Sequence, residues 1–287
     1  GPAFNGWRLL LDDSHDINKI KFDYIWISHE HPDHVSIPTL KGLKGNKTFL
    51  YQETLDKKVL KWLIGNGHEC IELKAHKSYQ IEDLQITTYP CKGYDTAIVF
   101  EDKDGHSFLN SNDCKLDSKD NIALIKKNHK NIDIIAAQYS YANWAGNPED
   151  EITPINQQDL INERLIKLYK KLKCERFFLF ASQIYFSHEE NFFLNKNKPS
   201  LKSIFLKLQE SGISPCVLKP NNYLTYSSFD DLRKINESIR YWDDLNSQKY
   251  PLDKITNSEL SKKNIVETYN NFFKNLWEKN SLEINKN

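Results

Sequence analysis

The chain contains no methionine, no Cys-x-x-Cys pair, no net charge and no long apolar run, and each absence narrows what it can be. Its 39 basic side chains match its 39 acidic ones, so no global positive field advertises a nucleic-acid partner. No stretch approaches the roughly 18 consecutive apolar residues of a membrane-spanning helix, and no secretory leader is visible. The five cysteines, Cys70, Cys91, Cys114, Cys174 and Cys216, are odd in number and widely spaced. That pattern fits free thiols in a reducing cytoplasm, not a disulfide framework, and the expected location is cytoplasmic. A chain of 287 residues that opens on Gly-Pro and lacks methionine points to a truncated or incompletely written sequence. Short spacings therefore carry more weight than long ones. What is present, with 12% aromatic residues, is enough to bury a core.

Strand and helix patterns alternate. "FDYIWIS" (22–28), "KTFLYQ" (47–52), "CIEL" (70–73), "YQIEDLQITTYP" (79–90) and "TAIVFEDKDGHSFLNS" (96–111) read as strands, the last folded back at Asp104-Gly105. "IDIIAAQYS", "RFFLFAS" and "SPCVLK" follow as further strands. Helices are expected at 53–65, with Leu55, Val59, Leu60 and Leu63 on one face, and at 115–129, 156–173 and 200–210. From about 228 the pattern turns helical and polar, ending in a stripe of Ile265, Tyr269, Phe272, Phe273 and Leu276 that is expected to pack against the main domain. The expected organisation is a catalytic domain over 1–227 and a helical C-terminal extension over 228–287. Interleaving of this kind implies an α/β (α+β) architecture of two sheets between helical layers.

Chemistry concentrates in "HEHPDH", where His29, His31, Asp33 and His34 fall within six positions behind an apolar strand. His29 and His31 are two apart and project to the same side of a strand end. Pro32 keeps His31 extended and turns the backbone, which aims Asp33 and His34 at the same volume. The result is two imidazoles for one divalent cation and a carboxylate plus imidazole for a second, a donor set suited to zinc, iron or manganese. Packing gives no reason for this density of imidazoles. A second dense stretch, "QYSYANWAGNPE", offers Gln138, Tyr141, Asn143, Trp144 and Asn147. These side chains either hold a small polar substrate, with rings that stack on sugar or base faces, or form a structural aromatic corner.

"HEHPDH" resembles the H-x-H-x-D-H signature of the metallo-β-lactamase superfamily, which implies an αββα sandwich with a two-metal site at its edge. "GPAFNGW", "WISHEHPDHVSIPTL", "FLNSNDC", "QYSYANWAGN" and "YFSHEENFFLN" further resemble the metallo-β-lactamase-like domain of CMP-N-acetylneuraminate hydroxylase and its bacterial relatives, over residues 1–195. In those relatives a strand pair precedes the "GPAFN" segment. The resemblance implies that His29 and His31 bind one metal and Asp33 and His34 the other. It also implies that Asp113 bridges the two and that His188 closes the second site. A histidine that many superfamily hydrolases place between the signature and the bridging aspartate has no counterpart in the turn "YPCKGYDT". Asp95 is the nearest replacement, with Glu189 and Glu190 as others, and an oxygen-richer site shifts preference from zinc toward iron or manganese. Glu189, beside His188, is also a candidate acid/base.

Two functions follow from the resemblance. One is a dinuclear iron oxygenase that hydroxylates a polar, sugar-nucleotide-like substrate. The hydroxylase's Rieske cluster needs Cys and His pairs that this chain lacks, so its electrons would come from a donor protein or a missing N-terminal portion. The other is a metal-dependent hydrolase of a phosphodiester, lactone or amide, in which two cations lower the pKa of a water and Asp33 positions it. An intact signature argues against a scaffold retained only for binding.

Overall fold

The apolar runs become strands largely where alternation demanded them. The computed structural model describes residues 6–11, 17–45, 47–91, 95–174, 176–252 and 262–284. Its strands are β1 (Trp7–Leu9), β2 (Tyr24–Ile27), β3 (Thr48–Gln52), β4 (Glu69–Leu73), β5 (Ser78–Ile81), β6 (Leu84–Pro90), β7 (Thr96–Glu101), β8 (Ser107–Asn112), β9 (Ile134–Gln138), β10 (Arg176–Phe180), β11 (Ile184–Phe186) and β12 (Pro215–Cys216). The helices are α1 (Ile37–Lys41), α2 (Lys58–Gly65), α3 (Lys119–Asn128), α4 (Ile152–Leu172), α5 (Leu201–Glu210), α6 (Leu232–Asn246) and α7 (Lys262–Ile284). Residues 1–5 of the "GPAFNGW" segment, 92–94 of the "YPCKGYDT" turn and 258–261 lie outside the described residues.

Three sheets form. A seven-stranded sheet runs β12-β10-β9-β8-β7-β6-β5, a three-stranded parallel sheet runs β2-β3-β4, and β1 pairs antiparallel with β11. In β3 the period of two decides the layering. Leu50 joins Leu73, Ile86 and Ile98 in a cluster drawn from the three- and seven-stranded sheets. Phe49 and Tyr51, on the opposite face, pack with Leu40, Val59 and Leu63 of α1 and α2. On the far side of the large sheet, Leu109, Ile135 and Phe177 share a core with Ile125, Leu165, Leu168, Leu208 and Ile239 of α3, α4, α5 and α6. The order is helix, sheet, sheet, helix, as the αββα expectation required. Each fully buried Leu, Ile or Phe in these layers contributes about 1.5–3 kcal/mol.

Some expectations need correction. The helix expected from 53 begins at Lys58, and Leu55, placed on its apolar face, is 94% exposed. The run at 79–90 is two strands, because Glu82 takes a left-handed φ of 49° and turns the chain between β5 and β6. Helix α4 starts at Ile152, and Leu160 points to solvent while Gln158 and Asn162 are buried. The Asp104-Gly105 turn forms as read, with Gly105 at φ 84° and its amide donating to the Asp102 carbonyl. The chain divides into two compact units, Gly1–Leu252 and Asp253–Asn287. Helix α6 belongs to the first unit because Ile235, Ile239 and Trp242 are buried in its core, with the Trp242 indole donating to the Leu218 carbonyl at 2.9 Å. In the second unit, Ile265, Tyr269, Phe272 and Phe273 of α7 are exposed, and the burial of Leu276 lies outside the described residues.

Candidate metal centre

Parallel strands collect loops at their C-terminal ends, and the ends of β2 and β8 carry the densest polar chemistry. Beyond Ile27 the chain enters Ser28 and His29, both buried, the latter 1% exposed. The His31 carbonyl then accepts from the amides of His34 and Val35 at 2.9 and 2.8 Å, which closes the turn at Pro32. His29 Nε2 and His31 Nδ1 approach to 2.8 Å, as the two-residue spacing predicts. The His29 and His34 ring centroids lie 4.1 Å apart.

Asp113 reaches this loop through an irregularity. The β8–β9 register shifts between Asn110 and Asn112, and Asn112 adopts a left-handed φ of 48°. Asparagine tolerates that conformation, and a bulge at a strand end re-aims the residue that follows. Asp113 Oδ2 consequently stands 3.2 Å from His34 Nε2 and 4.0 Å from His29 Nε2. Asp95, just before β7, places Oδ1 3.5 Å from His29 Nε2.

Among the described residues, ligand atoms lying within 4.8 Å of one another form the groups His29–His31–Asp95 and His29–His34–Asp113, with Asp33 Oδ2 at 3.4 Å from His34 Nε2. A further group, Asp102–Asp104–His106, is the β7–β8 turn, where Asp102 accepts from the Asp104 and His106 amides and bonds His106 Nδ1 at 3.0 Å. The two groups that share His29 fit divalent cations by their donors and by one orphan atom. Asp95 Oδ1 is buried and finds no hydrogen-bond partner among the described residues. Such an oxygen is costly unless a positive charge meets it.

Electrostatics separate the two histidines, and a cation at His34 would have to displace its proton. Burial, followed by the neighbouring His34 charge, lowers the His29 pKa to about 4, so its imidazole is neutral near pH 7 and free to act as a ligand. Burial also works against charge on His34, but hydrogen bonds to Asp113 and Asp33 outweigh it and raise the pKa to about 9. Burial would raise Asp33, yet its bond to His34 holds the carboxyl below the usual range. Burial and then the Asp113 charge raise Asp95.

Sequence reasoning missed Ser28. Its hydroxyl lies 3.0 Å from His29 Nδ1 and 3.2 Å from His34 Nδ1, which leaves both Nε2 atoms facing the carboxylates. A ligating histidine commonly fixes its ring through the other nitrogen, and the serine directly before the signature was the available signal.

His188 stands outside these groups. It lies in the turn after β11, its Nδ1 is 4.0 Å from Glu190 Oε2, and its amide donates to Asn191 Oδ1. Glu189 and Glu190 are exposed. Asn191 is occupied with structure, donating to the Gly6 carbonyl at 2.6 Å. In the second dense stretch the two readings separate by residue. Tyr141 is 2% exposed, packs with Ile184, Phe186 and Leu194, and donates its hydroxyl to the Leu194 carbonyl, so its ring is core and cannot stack on a ligand. Gln138 is half-buried at the end of β9, whereas Asn143, Asn147 and Trp144, the last 65% exposed, face solvent.

The layered sheets match known proteins. The structure resembles that of a possible metal-dependent hydrolase from Veillonella parvula, with a TM-score of 0.54 and 12% identity over 78% of this chain and 87% of that one. It also resembles an isothiocyanate hydrolase from Delia radicum gut bacteria, with a TM-score of 0.50 and 13% identity over 72% and 77%. The chain has the metallo-β-lactamase fold. In sequence, this metallo-β-lactamase-fold chain is 33% identical over 128 residues to the cytidine monophosphate-N-acetylneuraminic acid hydroxylase of Pongo pygmaeus. That match covers 40% of this chain and 21% of the relative, so the chain spans about a fifth of the curated relative's length. No protein-family model matches the sequence. No helix among the described residues is long and apolar enough to cross a membrane.

Proposed function

We propose that the chain is the catalytic part of a dinuclear-metal enzyme, an iron-dependent oxygenase that hydroxylates a small polar substrate. The observation that carries this reading is Asp95. It stands in the His29–His31 group with a buried oxygen that finds no hydrogen-bond partner among the described residues, and two imidazoles with one carboxylate are the donor set of non-haem iron centres. The partial likeness to a sugar-nucleotide hydroxylase supports the same direction.

His29, His31 and Asp95 would hold one cation, and His34, Asp113 and Asp33 the other, with Asp113 placed near both histidine groups. When bound, a pair of iron ions would supply Lewis acidity and the redox chemistry that dioxygen activation requires. The chain's own residues fix the rest. Ser28 orients two imidazoles, and His29 is held neutral. Gln138 and the exposed Asn143, Trp144 and Asn147 present amides and one ring to a polar substrate. His188 is proposed as the closing ligand of the second cation, with Glu190 as a further ligand and Glu189 as an acid/base group. An electron-donor protein completes the reaction.

The second reading is hydrolysis of a phosphodiester, lactone or amide. Asp33, held ionised beside His34, is suited to orient an attacking water, and the two structural neighbours are described as hydrolases. Metal analysis with absorption spectroscopy on aerobically prepared protein separates the two. Two irons with an oxo-bridge band support the oxygenase, while two zincs with turnover of a generic phosphodiester support the hydrolase. Protein that binds no metal at either group overturns both.

A further inference from the structure

A cavity of about 590 Å³ opens at the end of α6, and no residue of the two metal groups lines it. That volume lies within the range of small-molecule sites. One wall is the segment that leaves α6. There Tyr250 stacks on Tyr185 of β11, with ring centroids 4.2 Å apart and planes 21° from parallel. The Tyr250 hydroxyl donates to the Leu245 carbonyl at 2.5 Å, so this residue offers its ring and not its hydroxyl. The other wall is the helical turn Phe192–Asn195, which presents Phe192 and Phe193, both half-buried. Asn195 ties that turn to β11. Its Oδ1 accepts from the Phe186 amide at 2.8 Å, and its Nδ2 donates to the Phe186 and Phe192 carbonyls at 2.8 and 2.9 Å. Both walls are therefore fixed by bonds of their own, which lowers the ordering cost of binding. Charge in the cavity is one-sided: among the described residues no carboxylate lines it, while two lysines do. Lys196 is committed to Glu151 at 2.7 Å, whereas the Lys249 ammonium makes no ion pair among the described residues. The side-chain amides of Asn246 and Gln248 likewise make no hydrogen bond among the described residues.

We propose that this cavity binds a planar aromatic carboxylate of one or two rings. The ligand's ring lies against Tyr250, Phe192 and Phe193, where offset and edge contacts between aromatic rings add to the burial of apolar surface. Its carboxylate meets Lys249, and the amides of Asn246 and Gln248 donate to the same oxygens. A single uncommitted ammonium balances one negative charge, which selects a carboxylate over a phosphate dianion. A cationic ligand is disfavoured, because Lys249 would face it with no carboxylate to compensate. This site stands whichever reaction the metal centre performs.

The test is calorimetric titration of the full chain with 2-naphthoate, and with 2-naphthamide, which keeps the rings and lacks the charge. The expected result is saturable one-to-one binding of 2-naphthoate that Lys249→Glu weakens about tenfold, since repulsion replaces attraction at an exposed side chain. The same substitution should leave 2-naphthamide unaffected, while Phe192→Ala should weaken both ligands. His31→Ala should bind 2-naphthoate as the parent does, because the cavity and the metal groups share no residue. Absence of saturable 2-naphthoate binding would overturn the proposal, as would equal affinity in Lys249→Glu. Binding lost in His31→Ala would place the ligand at the metal centre and overturn it too. Lys249 is exposed, so the charge-reversed chain keeps its core and the decisive comparison does not depend on a variant that disturbs packing.

Discussion

Replacing Asp95 with Asn is expected to raise stability in chelator and to weaken the response to metal. Among the described residues Asp95 Oδ1 is buried without a hydrogen-bond partner, and burial followed by like-charge repulsion from Asp113 raises its pKa. Asparagine keeps the shape but removes the charge, and with it the burial penalty on the carboxylate and the repulsion from Asp113, a relief on the order of 1–3 kcal/mol for a buried group. The Asp95 side chain is 22% exposed, so solvent screens part of that cost and relief of about 1 kcal/mol is the working figure. In a unit of this size that corresponds to a rise of about 2–4 °C in Tm. Metal reverses the order. A cation at a hundredfold excess over its Kd stabilises the native state by about 2.7 kcal/mol. Loss of one ligand that weakens affinity tenfold removes about 1.4 kcal/mol of this. Urea denaturation of both proteins, in chelator and across an iron(II) or zinc titration, measures each sign. A variant less stable than the parent in chelator, with an undiminished shift on adding metal, would show Asp95 to be a structural carboxylate and refute the reasoning.

Other outcomes are equally specific. His31→Ala should lose metal at the first group while circular dichroism and the urea midpoint hold, because His31 is exposed and the layered cores do not rest on it; unfolding with unchanged metal content would contradict the assignment. Tyr141→Phe should cost about 1–2 kcal/mol in urea by stranding the Leu194 carbonyl, with substrate KM unchanged; the reverse pattern would return Tyr141 to the substrate site. Lys198 donates its amine to the Ser182 and Ile184 carbonyls, and burial lowers its pKa to about 7. Between that value and the ordinary lysine pKa the unfolded chain binds a proton that the native state lacks, so this group makes stability rise with pH across the window. Lys198→Met should flatten that rise, and parallel urea-midpoint profiles of variant and parent would sink the explanation.

Local sequence determined the strands, the hairpin at Gly105 and the convergence of His29, His31, Asp33 and His34, because each rests on periods and turns shorter than about seven residues. Such patterns act through neighbouring backbone geometry, so the cluster was legible before any fold was known. Helix limits at 53 and 156 were misplaced because apolar spacing alone does not say which leucines find a partner. Leu55 and Leu160 have the right spacing and remain in solvent.

Tertiary structure alone decided which distant groups meet the loop. Asp113 arrives because a bulge and the left-handed Asn112 turn it toward His34, and Asp95 because β7 begins beside it. The same packing took Tyr141 into the core and left Trp144 outside, though both belong to one aromatic stretch. It also drew α6 into the first unit through Ile235, Ile239 and Trp242. Contacts between residues tens of positions apart depend on sheet order and register, which spacing along the chain does not encode.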